Sequence, residues 1–510
     1  MKPEAQLKMH QADIRESASV AHVFGQNIAA AESFTANGND ERAYIYCPEN
    51  MKFVADYSLA SGLNRFVIHE SAHQPCDDKV PGTGLFQYGQ WFNRHETWAS
   101  MGRPWMDYLA RSCYLLQQGK FVADILLYYG EDNCITGIYG INLPDIPSGY
   151  SYDYINPKGL LQAIRVKDGK LVTETGMSYQ VLYLGENSKR MSLKMLKCIL
   201  SLAEKGATVC GTLPEVPAGM NDDNKTFQKL RDRLQKKMAG ENLAKVLREN
   251  HIKPDFSVPG DDIKFVHRRL PDMDIYWVRN FADHAVVADM KLRTPGGKYL
   301  EIWNPEDGKQ YSTDCFIHES GVSTVLDMAP GTALFLVVKY GGTPAPGKPG
   351  DPQHSLEVPG PWTVCFQQGR GAPDSVTWET LTDWTASKDE GIRYFSGTAD
   401  YTATLHLEKA LDGNSILSLG QVHQIARVSV NGTDCGIAWK APFVVNIPSG
   451  TLKEGKNTIT VTVANLWVNR IIGDQQPGCK QTYTETPKKF YRADSKLLPS
   501  GLIGPVTLLY

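Results

Sequence analysis

The hydrophobic pattern of this sequence changes near residue 260, from a helical period to the alternation that is typical of strands. Before that point, apolar residues recur every three or four positions at 48–61 and 105–116, and a glycine follows each run. After it, short alternating runs are separated by Pro/Gly turns. A chain of 510 residues is long enough for several cores. The sequence therefore predicts a multidomain protein, α/β in its first part and β-sandwich in its second.

The first 120 residues predict part of a (β/α) barrel. Residues 22–35 (HVFGQNIAAAESFT) and 64–74 (NRFVIHESAHQ) have the apolar or small residues of buried strands and end in polar residues. The helix predicted at 48–61 lies between them, and the helix at 105–116 follows. Because a complete barrel takes about 250 residues, we expect an incomplete barrel over residues 1–120.

An α/β domain is predicted next, at 121–255. A strand begins at Val122, a helix covers 191–204, a buried strand follows at 207–211, and an amphipathic helix covers 225–249.

Two β-sandwiches complete the predicted organisation, at 256–350 and 351–510. The Pro/Gly-rich segment 343–353 (TPAPGKPGDPQ) predicts the linker between them. In the second sandwich, the Asn431-Gly432 pair between two alternating runs predicts a β-hairpin.

The composition argues against several classes of function. The net charge is −3 and no cluster of Lys and Arg stands out, so neither nucleic acid nor a membrane surface is an expected partner. No apolar run reaches the roughly 20 residues of a membrane span, and the N-terminus lacks the apolar centre of a signal peptide. The ten cysteines form no C-x-x-C pair and are predicted to be free, buried thiols. Nucleotide-binding glycine motifs and the G-x-S-x-G motif are absent from the sequence.

Three glutamates are candidate catalytic groups. Cleavage of a glycosidic bond uses two carboxyl groups, and in a barrel these lie at the carboxyl ends of strands. Glu32 ends a run of small residues and is the first candidate; alternatively, it caps a helix or pairs with an arginine such as Arg15. Glu70 has the corresponding place on the next strand. Glu16 is the third candidate, or a charge at the start of a helix.

Histidines adjoin these glutamates. His69 and His73 flank Glu70, and His22 follows Glu16. They are predicted to bind sugar hydroxyls; the alternatives are a metal site or ordinary polar residues of the rim. The sequence offers little for a metal: residues 69–73 (HESAH) have the H-E-x-x-H spacing but belong to a segment predicted as a strand and not as a helix, and no Cys/His set is present.

A long loop at 89–105 (GQWFNRHETWASMGRPW) is rich in aromatic and charged residues. Loops of this length in barrels often bind ligands. Arg94 and Trp98 are therefore candidate sugar contacts, and the alternative is a buried structural loop.

Several runs together resemble glycoside hydrolase family 106, the α-L-rhamnosidases. The most specific lie in the first 132 and the last 45 residues: RESASVAHVFGQ, AAAESFT, GLNRFVIHESAHQP, FNRHETWASMGRPWMDYLARSCYLLQQGKFVADILLYYGED, LWVNRIIGDQQPG and LLPSGLIGPVTLL. The resemblance implies a catalytic barrel, an α/β domain similar to glutamine amidotransferases, and β-sandwiches, the last one a jelly roll similar to galactose-binding domains.

The same resemblance implies an activity. It is the removal of terminal α-L-rhamnose from plant-type oligo- or polysaccharides with inversion of configuration, by glutamates at the barrel rim and with a calcium ion near the sugar. Because the run AAAESFT matches the family motif, the resemblance assigns the role of a catalytic glutamate to Glu32. Glu16 lies in the run RESAS, which also matches the family, but the resemblance assigns it no role. Such enzymes act in the periplasm or outside the cell.

Family members carry several hundred residues ahead of this point, with the first barrel strands. A complementing N-terminal half is therefore expected. Two alternatives remain: a non-catalytic carbohydrate-binding relic, and a glycosidase similar to β-galactosidases or β-glucuronidases, which rests on the terminal sandwich alone.

Overall fold

The computed structural model describes residues 3–89, 92–131 and 144–510. The chain forms two compact units, each assembled from segments that are distant in sequence. Unit 1 comprises Met1–Ala31, Ala55–Phe66 and Leu109–Lys348, and unit 2 comprises Glu32–Val54, Val67–Tyr108 and Pro349–Tyr510. The four consecutive domains of the sequence analysis stay a prediction, since these units group the chain differently.

Helices alternate with short strands at the start of the chain. The elements are α1 Pro3–Val23, β1 Ala30–Ser33, α2 Pro48–Ala60, β2 Arg65–Ile68 and α3 Arg103–Leu116. β1 and β2 form a two-stranded sheet. The carbonyls of Ala29 and Ser33 accept hydrogen bonds from Arg65 N and His69 N in the same order along both chains, so the two strands run parallel. The predicted helices at 48–61 and 105–116 are confirmed, and this strand–helix–strand–helix order fits part of a barrel.

The predicted strand at 22–35 is wrong over its first half. Helix α1 continues to Val23, and β1 begins only at Ala30. The buried positions of α1 include Ala12, Arg15 and Ser19, which follow one another at helical spacing but are small or polar. Among the residues of α1 whose side chains are described, no large apolar side chain marks this face, so the hydrophobic period of the sequence did not reveal the helix.

A parallel sheet is the centre of the next segment, which belongs to unit 1. Four of its strands hydrogen bond in the order β11-β9-β4-β5, all parallel. The elements of this segment are β3 Lys120–Phe121, β4 Ile125–Tyr128, β5 Tyr152–Ile155, α4 Pro157–Ala163, β6 Arg165–Lys167, β7 Lys170–Val172, β8 Ser178–Tyr179, β9 Val181–Leu184, β10 Arg190–Met191, α5 Leu193–Glu204, β11 Thr208–Gly211, β12 Val216–Pro217, α6 Asn224–Gln235 and α7 Leu243–Glu249. The predicted helix at 191–204 and strand at 207–211 are confirmed, whereas the strand predicted from Val122 begins at Ile125.

The single helix predicted at 225–249 is two helices, α6 and α7. Between them, Ala239 N donates to Val209 O and Gly211 N donates to Gly240 O, so the backbone here pairs with the sheet instead of with its own helix. Asn242 then starts α7, and its side chain accepts a hydrogen bond from Lys245 N.

A β-sandwich completes unit 1. Its two sheets have the orders β13-β16-β20-β19 and β18-β17-β21-β15-β14-β3. The strands are β13 Phe256–Ser257, β14 Ile263–Arg269, β15 Met273–Asn280, β16 Val286–Leu292, β17 Tyr299–Trp303, β18 Gln310–Thr313, β19 Phe316–His318, β20 Gly321–Met328 and β21 Ala333–Lys339. Tyr276 from one sheet and Met290 from the other are fully buried in the shared core. Two sheets with a shared core thus follow residue 255, and β3 adds an earlier strand to one of them.

A second pair of sheets forms most of unit 2, in the orders β22-β33-β26-β30 and β24-β23-β25-β31-β28-β29. The elements are β22 Ser355–Glu357, β23 Trp362–Phe366, β24 Ser375–Trp378, α8 Glu390–Arg393, β25 Thr398–Leu407, β26 Ser415–Ser418, β27 Gln421–His423, β28 Ile425–Val430, β29 Thr433–Ala438, β30 Val444–Ile447, β31 Gly455–Ala464, α9 Val468–Gly473, β32 Gly501–Gly504 and β33 Thr507–Leu509. Residues 343–353 contain no helix and no strand, as predicted for a linker. The jelly-roll topology stays a prediction.

The predicted thiols are free but not uniformly buried. All nine cysteines of the described ranges are unpaired, and Cys76, Cys365 and Cys479 are exposed; Cys134 lies outside the described residues. Among the described helices, none combines the length and the apolar composition that crossing a membrane requires.

The hairpin predicted at Asn431-Gly432 is confirmed, and it yields a test of local stability. Both residues have positive φ, 51° and 80°, and a Cβ at Gly432 would meet no atom within 4 Å. Gly432→Ala should therefore destabilise unit 2 through the backbone alone, by about 1–2 kcal/mol, which scanning calorimetry would show as a transition lowered by roughly 2–8 °C. Gly413→Ala, at a position with equal space and no positive φ, is the control; equal effects of both changes would contradict this explanation.

Candidate active site

Glu32 and Glu70 lie at the carboxyl ends of neighbouring parallel strands. Glu32 is the third residue of β1, and Glu70 is the second residue after β2. The two chain segments are joined in unit 2 by the hydrogen bond from His69 N to Ser33 O, 2.9 Å long. Because neighbouring strands are about 4.8 Å apart, the two carboxylates share one edge of the sheet. This is the edge where barrels carry their catalytic groups.

The carboxylate of Glu32 is exposed and lightly held. Its Oε1 accepts one hydrogen bond, from Thr35 Oγ1 at 2.6 Å. Within the described ranges, Glu32 forms no ion pair and caps no helix. The ion-pair and cap alternatives therefore do not account for this residue, and its carboxylate is open to a ligand.

His69 and Glu70 are held closely by the next loop. His69 Nε2 is 3.8 Å from Glu70 Oε2, and the peptide bond between the two residues is cis. Gly89 has a φ of 47°, and a Cβ there would lie 2.4 Å from His69 Nδ1 and 3.0 Å from Glu70 N. A side chain at residue 89 would thus displace His69, and glycine allows the loop to support the histidine and the glutamate together.

The remaining candidates in unit 2 have structural partners. His73 is exposed, and its carbonyl accepts a hydrogen bond from Thr83 Oγ1. Arg94 Nη2 donates to Asp77 Oδ1 at 2.7 Å and to Gln74 O at 2.8 Å, and this arginine lowers the pKa of the Asp77 carboxyl. Arg94 remains half exposed and stays a candidate contact.

Trp98 does not fit the predicted sugar contact. Its side chain is 2% exposed, and its Nε1 donates to the carbonyl of Tyr46 at 3.2 Å. With its ring enclosed in the core of unit 2, it has no face on which a sugar can stack. The structural alternative for this part of the loop is the better interpretation.

Glu16 and His22 belong to unit 1, on helix α1. Glu16 lies in the interior of α1, so the alternative of a charge at the start of a helix does not hold. Burial, and secondarily Asp13, raises the pKa of its carboxyl. His22 is in the last turn, with Nδ1 2.8 Å from Asp153 Oδ1. Neither residue lies at the end of a strand. Of the predicted site, the structure brings together Glu32, His69 and Glu70.

A buried glutamate in the long loop was not singled out by the sequence analysis. Glu96 is 5% exposed; its Oε1 accepts hydrogen bonds from Thr97 N and Thr97 Oγ1, and its Oε2 has no hydrogen-bond partner among the described residues. Burial raises the pKa of this carboxyl to about 8, against the two hydrogen bonds, which lower it. No local pattern signals this burial, because burial of a charged residue depends on packing by distant segments.

Comparison with known proteins decides the family. The model of glycoside hydrolase family 106, described as alpha-L-rhamnosidase, matches residues 1–315. The chain belongs to this family. The resemblance seen in the sequence is thus confirmed, and the match reaches well beyond the segment with barrel-type strands.

Two relatives extend the comparison over nearly the whole chain. A solved structure, titled "Structure of Rhamnosidase from Novosphingobium sp. PP1Y", is 37% identical with a TM-score of 0.90; the match covers 98% of this chain and 49% of that one. A protein of Formosa agariphila named "Putative beta-glucuronidase" is 25% identical, over 96% of this chain and 63% of the relative. The chain therefore spans about half to two thirds of the length of these relatives. The mixed α/β and β-rich multidomain fold is shared with the rhamnosidase structure.

The described residues of this chain do not form the implied calcium site by themselves. In the part of the chain that the structure describes, no three His, Cys, Asp or Glu side chains come together in a way that would hold an ion. Calcium prefers six to eight oxygen ligands, with carboxylates prominent among them. No step of the chemistry below is therefore assigned to a metal.

Glu96 predicts a measurable pH dependence of stability. The folded state keeps this proton up to a pH of about 8, whereas the unfolded chain releases it near the ordinary glutamate pKa of 4.5. The stability that protonated Glu96 contributes is therefore complete below pH 4.5 and is lost as the pH rises towards 8. Over this range the free energy of unfolding falls by at most about 5 kcal/mol. Glu96→Gln resembles the protonated acid, so it should unfold at a higher temperature than wild type at pH 8 and at nearly the same temperature at pH 4.5.

The control for this experiment is Glu454→Gln, at an exposed position. It should follow the wild-type profile at both pH values. A Glu96→Gln profile parallel to that of wild type would show that the buried carboxyl does not titrate as described.

Proposed function

We propose that this chain is part of a glycoside hydrolase that removes terminal α-L-rhamnose from rhamnose-containing oligo- or polysaccharides of plant type. The single observation that carries the proposal is the position of Glu32, an exposed carboxylate at the carboxyl end of a parallel strand in a chain of the rhamnosidase family. Membership of the family indicates hydrolysis of a glycosidic bond, and Glu32 at the end of β1 is the candidate acid/base group.

An inverting mechanism divides the work between two carboxyl groups. One, protonated, donates a proton to the leaving glycosidic oxygen; the other, ionised, takes a proton from the attacking water. We infer that Glu32 is one member of the pair and that Glu70 is its candidate partner within this chain. In inverting enzymes the two carboxyl groups are about 6.5–9.5 Å apart, a separation that side chains from neighbouring strands can reach.

His69 would position Glu70 and the sugar. Its Nε2 is 3.8 Å from Glu70 Oε2, and the backbone of Gly89 lies close to Nδ1 of the same ring. A histidine in this place can donate to the carboxylate or to a sugar hydroxyl. His73 and Arg94, both exposed near the same loop, are further candidates for sugar contacts.

The complete site requires more than the residues of this chain. The chain matches 49% of the Novosphingobium rhamnosidase, and two parallel strands are a quarter of a (β/α)₈ barrel. A complementing N-terminal half would supply the other strands. Calcium, by resemblance alone, and action in the periplasm or outside the cell are further parts of this proposal.

The substrate is tested by comparing two chromogenic glycosides. The chain, alone and extended by the coding sequence that precedes it in its genome, is assayed on p-nitrophenyl α-L-rhamnoside and p-nitrophenyl β-D-glucuronide. Release from the rhamnoside by the extended protein supports the proposal. Release from the glucuronide only would favour the second candidate, a β-glucuronidase, which the name of the Formosa relative suggests. Binding of rhamnosides without hydrolysis of either compound would favour the carbohydrate-binding relic.

Glu32 is tested by substitution in the active, extended protein. Glu32→Gln keeps the size of the side chain but removes its ionisation, and general acid–base catalysis typically contributes about 10²–10⁴ in rate. We expect kcat on the rhamnoside to fall by at least about 100-fold with an unchanged melting temperature. The control is Glu408→Gln, at an exposed position on the sandwich of unit 2. More than about a tenth of wild-type kcat in Glu32→Gln would remove Glu32 from the mechanism and transfer the role to Glu70 or Glu16.

A further inference from the structure

Unit 1 contains a cavity of about 690 Å³ that shares no glutamate with the candidate active site. It lies between the end of α1, strand β3 and the loop before β8, and its volume is within the range of small-molecule sites, about 300–1,000 Å³. It is lined by residues 25–27, 119–122, 175–178 and 268–271 together with His22. No Asp or Glu is among these residues, whereas Lys120, Arg268 and Arg269 are.

Arg268 is a buried cation without a carboxylate partner. Its side chain is 3% exposed; Nε donates to Gln118 O at 2.7 Å and Nη2 donates to Gly119 O at 2.8 Å. Among the described residues, no carboxylate oxygen lies within 4.0 Å of its guanidinium. Burial lowers the pKa of Arg268 to about 10, so the group is still charged at neutral pH. Neighbouring Arg269 differs, because its Nε donates to Asp274 Oδ1 at 2.8 Å.

A second buried guanidinium adds to the positive charge beside the cavity. Arg15 is 7% exposed, and its Nε and Nη1 are buried without hydrogen-bond partners. Asp153, like these two arginines, affects the pKa of His22. Both oxygens of its carboxylate are already hydrogen bonded, Oδ1 to His22 Nδ1 and Oδ2 to the hydroxyl of Tyr179, each at 2.8 Å. Asp153 also acts electrostatically on Arg268, whereas Arg15 lies over the rings of Phe121 and Tyr152, 5.4 and 5.3 Å from their centroids. Buried charge is costly unless it is compensated.

His22 adds a hydrogen-bond acceptor and a flat surface. Its ring stacks on Phe121 with the centroids 4.3 Å apart and an angle of 16° between the planes. Burial lowers the pKa of this imidazole in spite of Asp153, which favours the neutral ring. A neutral ring that donates from Nδ1 to Asp153 carries an acceptor at Nε2. Nε2 makes no hydrogen bond to the described residues and suits a ligand hydroxyl.

We propose that this cavity is a binding site for an oxyanion-bearing ligand, in which Arg268 and Lys120 compensate the negative charge and His22 accepts a hydroxyl. The carboxylate of an acidic sugar meets every part of this description, because it brings an anion, hydroxyls and a ring in one molecule. An inorganic oxyanion would satisfy the charge alone. The site is separate from the hydrolytic reaction and does not depend on it.

The proposal is tested by titration calorimetry on the full chain with three probes: D-glucuronate, D-glucose and inorganic sulfate. Glucuronate should bind and glucose should not, since the two differ mainly in the carboxylate. Sulfate binding without glucuronate binding would keep the oxyanion site but assign it to free inorganic anions. If glucuronate and sulfate both fail to bind, or if glucose binds as well as glucuronate, the proposal is wrong.

Two variants of Ser178 test whether the ligand binds in this cavity. Ser178 is exposed, lines the cavity and has no hydrogen-bonded role for its side chain among the described residues, so its replacement should leave folding unchanged. Ser178→Asp introduces a negative charge at the size of the neutral control, Ser178→Asn. The aspartate should weaken glucuronate or sulfate binding at least tenfold, and the asparagine less than threefold. Equal affinities of the two variants, with unchanged melting temperatures, would place the ligand elsewhere and overturn the proposal.

Discussion

One hydrophobic cluster of unit 2 is built around the indole of Trp467, which is 1% exposed and donates from Nε1 to His95 O at 3.0 Å. Its cluster unites side chains from the beginning and the end of the chain, including Ala43, Val80 and Phe490. Nearby, Thr97 Oγ1 donates to the carbonyl of Asn465. These contacts join two of the motifs that resemble the family, FNRHETWASMGRPW and LWVNRIIGDQQPG. The loops that support the candidate site are therefore fixed by residues almost 400 positions away in sequence.

Much of the fold was predictable from local pattern. Helix α2 shows its apolar period in the sequence, and the hairpin at Asn431 needs only two residues with positive φ. Helix α1 was missed because it buries small and polar side chains, which hydrophobic periodicity does not report. The break between α6 and α7 depends on backbone pairing with β11. Tertiary hydrogen bonds of this kind leave no local signal.

The candidate site was predictable in part, for a similar reason. Glu32 and Glu70 follow from the rule that strand ends meet at one edge, which needs only the strand assignment. Glu16 and His22 were associated with them by closeness in sequence, yet the structure assigns both to unit 1. Trp98 and Glu96 show the limit most clearly, since an aromatic residue and an acid in one polar loop are both buried by packing that the loop sequence does not contain.

The interleaved segments of unit 2 affect how this protein can be divided. The sandwich of residues 349–510 follows a Pro/Gly linker and looks like a separate module, but α9 packs in a core whose other side comes from residues 43–80. Cut at the linker, the sandwich would expose Trp467, Ile471 and Phe490 to water. The terminal sandwich and the earlier loops that pack on it therefore form one folding unit, which a cut at the linker would divide.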